Sequence, residues 1–177
     1  MVIEDVGVNL TRTGLLDVLR AMGASIAVER RRDVSGEPAA DLVVKSSALR
    51  GTTIKGDVIP RMIDEFPILC IAAALAEGET VIDEAQELRV KESDRIAAMT
   101  HELERLGVNV EARPAGIRIV GPQSIDGGTC SSHGDHRVAM ALAVAGLVSR
   151  KAVIIEDVDC VATSFPGFFD QLERVRR

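Results

Sequence analysis

The pattern of apolar and polar positions in the first part of the chain predicts short strands around one amphipathic helix. The predicted strands cover residues 1–9, 24–29, 41–45 and, as a short extended piece, 49–54. The helix covers residues 15–22, with Thr13 as its N-cap and Gly23 ending it. The charged segment 30–38, which holds three consecutive arginines, predicts a solvated turn rather than a ligand site.

The middle of the chain has a different texture. A nearly all-apolar, Ala-rich run at 68–76 predicts a helix that is buried on most sides, and Pro67 suits its first turn. Beyond it, the alternation of apolar residues predicts a strand at 80–83, an amphipathic helix at 96–106, and a hairpin of 108–111 with 116–120.

Two internal similarities predict a repeated architecture. Residues 64–80 match residues 135–151, and the helix end at 19–24 matches the one at 103–108. The repeating unit is strand, helix, strand, helix, strand, strand, or βαβαββ. We predict a single lobe over residues 1–177 with repeats at approximately 1–56, 57–121 and 122–177, the first lacking its buried helix and the last its closing strands. An incomplete first copy leads us to expect that the chain is part of a longer protein.

The composition is that of a globular protein. The chain has 177 residues, 46% of them hydrophobic, and a net charge of −6. This charge, with no Trp or Tyr, disfavours nucleic-acid binding. No apolar run reaches the roughly 18 residues of a membrane span, and the first residues do not resemble a signal peptide, so we expect a cytoplasmic protein without a membrane partner. Cys70, Cys130 and Cys160 lack paired spacing and are expected to be reduced, Cys70 in the core.

The candidate active site lies at residues 88–95, where a strand pattern gives way to a helical one. Lys91, Glu92 and Arg95 can converge there if Ser93 or Asp94 caps the next helix, and free N–H groups at a helix N-terminus favour an anion. The alternative reading is a solvated helix start with an Arg–Glu surface pair.

Two other helix starts carry similar residues. Asp64 and Glu65 precede the buried helix, and Asp135 precedes a second Ala-rich helix, where N-capping explains it. His136 and Arg137 place cations in a first helical turn, against the helix dipole, which favours a functional reason.

The sequence predicts neither a metal site nor a cofactor. His101, His133 and His136 lie on different predicted elements, and no ligand cluster accompanies the three-residue spacing of His133 and His136. There is no G-x-G-x-x-G and no Walker P-loop.

Five segments together resemble the 5-enolpyruvylshikimate-3-phosphate (EPSP) synthase family, at residues 9–14, 63–69, 88–95, 135–140 and 163–166. The resemblance covers essentially the whole chain. It implies an α+β fold, an inside-out α/β barrel or prism with buried helices and outer sheets, in an enzyme of two such lobes. This chain resembles most of the C-terminal lobe, so the N-terminal lobe would be its partner.

The resemblance also implies a reaction and residue roles. The family transfers the enolpyruvyl group of phosphoenolpyruvate to the 5-hydroxyl of shikimate 3-phosphate without a cofactor. Asp64 would hold that hydroxyl and take its proton, and Glu92 would protonate and deprotonate the methylene carbon. The phosphoenolpyruvate contacts would be Lys91, Arg95, His136 and Arg137. Arginine forks suit a carboxylate and a phosphate, and a carbon acid needs a positioned carboxyl group.

Two positions depart from the commonest family pattern. Glu87 stands at a shikimate-binding position where many members have Asn, and Thr163 stands where many have a phosphoenolpyruvate-binding Lys. Both departures resemble the bacterial subgroup associated with glyphosate tolerance.

Three other functions compete with this one. A transferase acting on a UDP-sugar shares the architecture, but its motifs at these helix starts differ. A non-catalytic anion-binding module would not need Asp64 and Glu92 beside its arginines. An RNA-end cyclase is disfavoured by the net charge and the few aromatic residues. We expect the isolated chain to be folded and inactive.

Overall fold

A computed structural model describes residues 1–176 as an α+β fold, which confirms the expected class. The strands are β1 Val2–Gly7, β2 Ser25–Val34, β3 Glu37–Lys45, β4 Thr53–Ile54, β5 Gly78–Ile82, β6 Val110–Arg113, β7 Gly116–Gly121, β8 Gly128–Ser131 and β9 Val153–Glu156. The helices are α1 Gly14–Ala21, α2 Val58–Met62, α3 Phe66–Leu75, α4 Arg95–Arg105, α5 His136–Ala145 and α6 Phe168–Val175. None of the described helices has the length and apolar character needed to cross a membrane.

The first sheet corrects the predicted turn at 30–38. It is antiparallel with the order β1–β3–β2, and β2 runs on through the arginines before the chain turns at residues 35 and 36. Arg30 Nη2 lies 2.5 Å from Asp41 Oδ2, and Arg32 Nη2 lies 2.8 Å from Asp41 Oδ1. The Asp41 side chain is only 4% exposed. Because a buried carboxylate must be paired, these cross-strand ion pairs favour an extended hairpin over the solvated turn that charge alone predicts.

The second sheet has the order β4–β5–β7–β6, and the third pairs β8 with β9 in parallel. The β6–β7 hairpin confirms the predicted one, with its turn at residues 114–115. In both of the larger sheets, the third strand of a consecutive set lies between the first two: β3 lies between β1 and β2, and β7 between β5 and β6. The pairs β4–β5 and β8–β9 are both parallel. The division of the lobe at residues 56 and 121 stays a prediction.

The core is built around α3, whose residues Phe66, Leu69 and Cys70 are fully buried. Pro67 lies in its first turn, as predicted. The helix packs against α5 and, less extensively, against α4 and β7. An Ala-rich helix with no polar face can only be stable when covered by neighbours in this way. This packing places the N-termini of α3, α4 and α5 beside one another.

Thr13 precedes α1 but does not act as the predicted side-chain cap. Its hydroxyl accepts a hydrogen bond from Arg61 Nη2 at 3.1 Å. An oxygen engaged by a guanidinium is a weaker acceptor for a helical N–H, which accounts for the difference.

Candidate active site

The three helix N-termini each contribute an acidic or basic side chain to one cluster. Asp64 lies in the short turn Ile63–Glu65 that leads into α3, and Arg95 is the first residue of α4. Asp135 caps α5 and accepts from the backbone N–H of Arg137 at 2.8 Å, while Asp94 caps α4 and accepts from Ala97 N at 3.0 Å. Both caps confirm the sequence prediction. Each cap sets the first residue of its helix and so positions the side chains of the first turn.

Arg95 is the centre of this cluster. Its Nε donates to Asp135 Oδ2 at 2.8 Å, its Nη2 to Glu92 Oε2 at 2.7 Å and its Nη1 to Asp64 Oδ1 at 3.4 Å. The Arg95 side chain is 0% exposed, whereas Glu92 is 50% exposed. The alternative of a solvated Arg–Glu surface pair is therefore wrong, because Arg95 is buried and forms ion pairs with three carboxylates.

Asp64 is held from its other side by two further guanidinium groups. Arg137 Nη2 lies 3.3 Å and Arg12 Nη2 3.2 Å from Asp64 Oδ2, and Arg137 Nη1 donates to the Asp64 carbonyl at 3.2 Å. Partial burial raises the pKa of Asp64, but the charges of Arg137, Arg95 and Arg12 outweigh it and leave the pKa below its ordinary value. Asp64 is therefore a carboxylate at neutral pH, with three guanidinium groups around it.

The neighbouring carboxyl groups are shifted in opposite directions. Burial raises the pKa of Asp135, but the hydrogen bond from Arg95 and its charge reverse this, so the net pKa is lowered. Burial also raises the pKa of Glu65, and here it prevails: Arg137, the nearest cation, lies 3.8 Å from the carboxylate. Of these three carboxyl groups, Glu65 is the one whose pKa is raised.

Lys91, Glu87 and His136 are bound less tightly to the cluster. Lys91 Nζ contacts Glu87 Oε1 at 2.6 Å, and Glu87 is 61% exposed. His136 lies half-buried in the first turn of α5, and within residues 1–176 its ring makes no hydrogen bond. The structure thus brings Asp64, Glu92, Arg95 and Arg137 into direct contact, and leaves the other three candidates at its margin.

Sequence reasoning missed Arg12, Ser93 as a side-chain donor, and the second role of Asp135. Ser93 Oγ donates to Asp135 Oδ2 at 3.1 Å, so Asp135 both caps α5 and holds Arg95. The N-cap explanation was sufficient on its own and concealed the ion pair. Arg12 lies 52 positions before Asp64, a separation at which only its motif 9–14 could have drawn attention to it.

The contact pattern constrains how an anion can bind. Arg95 is fully enclosed by carboxylates, so it can touch a ligand only after Glu92 or Asp64 moves away. Arg137 is 28% and Lys91 25% exposed, and these side chains are reachable in the present conformation. The cluster is therefore a closed network of arginines and carboxylates with exposed cations at its border, rather than an open anion pocket.

The comparison with known proteins decides the family. The family model of EPSP synthase (3-phosphoshikimate 1-carboxyvinyltransferase) matches residues 1–172. The chain belongs to the EPSP synthase family. Among similar curated proteins, the 3-phosphoshikimate 1-carboxyvinyltransferase of Desulforudis audaxviator is 57% identical over 176 residues, and that of Gloeobacter violaceus 55% over 177. The match covers 99% or 100% of this chain and 41% of each relative.

Solved structures agree with the family assignment. An EPSP synthase from Acinetobacter baumannii superimposes with a TM-score of 0.94 at 45% identity, covering 98% of this chain and 41% of that one. The enolpyruvyl transferase NikO from Streptomyces tendae shares the fold, with a TM-score of 0.72 at 22% identity. The chain thus spans about 41% of the length of the family members it matches, and a substantial part of those proteins lies outside it.

Proposed function

We propose that this chain supplies one half of an EPSP synthase active site. In the complete enzyme, the enolpyruvyl group of phosphoenolpyruvate would pass to the 5-hydroxyl of shikimate 3-phosphate, with release of phosphate and without a cofactor. The remaining lobe of the same enzyme would supply the other half. We expect the enzyme to work in the cytoplasm, without a nucleic-acid or membrane partner.

The observation that supports this proposal most strongly is that Asp64 and Glu92 share one buried guanidinium, Arg95. A site that only binds anions gains nothing from two carboxylates at its centre, because each repels the ligand. Acid–base chemistry does need them: one group takes the hydroxyl proton, and the other exchanges a proton with carbon. The arginines around Asp64 lower its pKa against the effect of burial and keep it ionised, which leaves it free to accept a hydrogen bond from a hydroxyl group.

The half-buried Glu92 suits the second task by position. It reaches Arg95 through Oε2 at 2.7 Å and is still 50% exposed, so its other oxygen can face a substrate. Lys91 precedes it directly, and His136 and Arg137 approach from α5. In this proposal, Arg137, Lys91 and His136 contact phosphoenolpyruvate first, and Arg95 joins them once Glu92 or Asp64 turns toward the substrates. Glu87 would act through Lys91, whose charge it partly neutralises.

The test has two stages. The 177-residue chain is titrated with shikimate 3-phosphate and phosphoenolpyruvate and followed by amide and methyl NMR, and released phosphate is then assayed after the missing lobe is added. We expect shifts at Asp64, 91–95 and 136–137, and phosphate release only when both lobes are present.

The Glu104→Gln variant is a matched control, because Glu104 is exposed on α4 and outside the cluster. It should support the same turnover as the unmodified pair of lobes. Phosphate release by the chain alone would disprove the half-site proposal. A correctly folded but silent pair of lobes, with ligands bound elsewhere, would favour the anion-binding module.

A further inference from the structure

A second group of chemistry-bearing side chains lies at the other end of α4. His101 and Glu102 are on that helix, and His133 lies in the turn between β8 and α5. One nitrogen from each ring and one carboxylate oxygen lie within 4.8 Å of one another. The absence of a predicted metal site rested on the histidines lying on different elements, and the fold removes that separation for His101 and His133.

Glu102 is prepared to present one oxygen to both rings. It is 0% exposed, and its Oε1 lies 2.8 Å from His101 Nδ1 and 2.7 Å from His133 Nε2. The backbone N–H of Ser131 donates to the other oxygen, Oε2, at 3.1 Å. This hydrogen bond orients the carboxylate in the way that outer-shell hydrogen bonds orient metal ligands.

We propose that His101 Nδ1, His133 Nε2 and Glu102 Oε1 form a site for a zinc-type divalent transition-metal ion. Two imidazoles and a carboxylate are a ligand set that binds Zn²⁺ with an open fourth position. The imidazoles are 56% and 34% exposed, so an ion can reach the site and keep a water ligand. Nitrogen ligands disfavour Mg²⁺ and Ca²⁺, which prefer oxygen.

Zinc binding requires the three ligand atoms, now within 4.8 Å of one another, to surround the ion evenly. Ligand atoms around a tetrahedral zinc ion lie about 3.3 Å apart, so the two nitrogen–oxygen contacts would each lengthen by about half an ångström. In the metal-bound form each imidazole would be neutral, with its proton on the nitrogen that does not face Glu102. The Cys130 sulfur is not among the ligand atoms that lie within 4.8 Å of one another.

The bound ion would join α4 to the turn that precedes α5. His133 lies two residues before Asp135, and Asp135 holds Arg95 at the first position of the same α4. The ion would therefore restrain the segment on which the Arg95 cluster depends, from a position outside that cluster. The ion site rests on its own residues and does not require the proposed reaction.

The experiment uses the 177-residue chain, with Zn²⁺ alone as the titrant in calorimetry and Co²⁺ as a spectroscopic probe of tetrahedral coordination. The variants are His101→Gln and His133→Asn. His101 is on an exposed helix face, and Asn tolerates the positive φ of 54° at position 133. Glu102 is kept, because its loss would leave the Ser131 N–H without its acceptor. Glu104→Gln is the control, an exposed carboxyl loss on the same helix.

We expect one Zn²⁺ per chain, a Co²⁺ spectrum of tetrahedral type, and at least about tenfold weaker Zn²⁺ binding in each histidine variant. The control variant should bind as the unmodified chain does, and Mg²⁺ should not compete. The proposal is overturned if the unmodified chain takes up no Zn²⁺, or if the histidine variants, shown to be folded by circular dichroism, bind it equally well. In either case the three groups form only a hydrogen-bonded cluster.

Discussion

Replacing Arg95 by methionine should cost the chain a large part of its stability. Methionine keeps much of the side-chain length but removes the charge that faces Asp135, Glu92 and Asp64 at 2.8, 2.7 and 3.4 Å. Asp135 is 0% exposed and cannot turn to solvent, so its carboxylate would remain buried without a counter-ion. Breaking one partner of such a buried pair costs about 3–5 kcal/mol, out of the roughly 5–15 kcal/mol that stabilise a typical domain.

The measurement is equilibrium unfolding in urea, followed by circular dichroism. With a slope of about 2 kcal/mol per molar urea, a loss of about 4 kcal/mol lowers the midpoint by about 2 M. Arg137→Met is the matched control. Arg137 also contacts Asp64, at 3.3 Å, but it is 28% exposed, and removing such a pair should cost less than about 1 kcal/mol.

A double-mutant cycle isolates the ion pair from the loss of packing. Asp135→Asn keeps a residue that caps helices well while removing the carboxylate. The Arg95→Met, Asp135→Asn double variant should therefore lose less stability than the two single variants together, by about 1–3 kcal/mol. If Arg95→Met shifts the midpoint no more than the Arg137 control, or if the two losses simply add, the assignment of Arg95 as the central counter-ion is refuted.

Three further predictions concern the charged groups of the site. In the complete enzyme, Glu92→Gln should reduce phosphate release by at least about a hundredfold while ligand titration shows binding largely intact, and unchanged turnover would remove Glu92 from its role. Arg137→Ala should weaken phosphoenolpyruvate binding in the same titration; equal affinity would argue against its contact with the donor. Because the pKa values of Asp64 and Asp135 are lowered in the folded chain, both groups stabilise it at pH values above the ordinary carboxyl pKa. This contribution to the free energy of unfolding is lost as the pH falls through the lowered pKa values. Unfolding measured from pH 7 to pH 2 should show this loss, and Asp64→Asn should reduce its size; a variant with the unmodified pH dependence would contradict the linkage.

Local pattern was sufficient where one face or one cap decided the structure. The all-apolar run that became α3, the Asp94 and Asp135 caps, and the β6–β7 hairpin all follow from hydrophobic periodicity and turn chemistry within a few residues. Pattern failed at residues 30–38, where cross-strand pairing with the buried Asp41 outweighs the solvation that the arginines favour. Hydrophobic periodicity cannot predict these ion pairs, because the two partners lie 9 or 11 positions apart on opposite strands of a hairpin.

The site shows the same division between local and distant information. The sequence predicts each helix start, at Asp64, Arg95 and Asp135, separately, from N-cap residues and from charges that agree or conflict with the helix dipole. Their convergence on one guanidinium depends on how α3, α4 and α5 pack, across 31 and 40 positions of sequence. The same packing brings His101 close to His133, although the two residues are far apart in the sequence.

Under the half-site proposal, charge accounting predicts that the chain alone binds phosphoenolpyruvate weakly, at the millimolar ligand concentrations that an NMR titration can reach. The cluster and its margin hold the cations Arg12, Lys91, Arg95 and Arg137 against the anions Asp64, Glu65, Glu87, Glu92 and Asp135. Four positive groups face five negative ones, so a donor that carries both a carboxylate and a phosphate meets no surplus of positive charge. In the proposed two-lobe enzyme, further affinity would come from cations on the other lobe, or from turning Glu92 or Asp64 away from Arg95. Joining the lobes should therefore strengthen phosphoenolpyruvate binding far more than any single substitution within this chain, and the gain should fall as ionic strength rises.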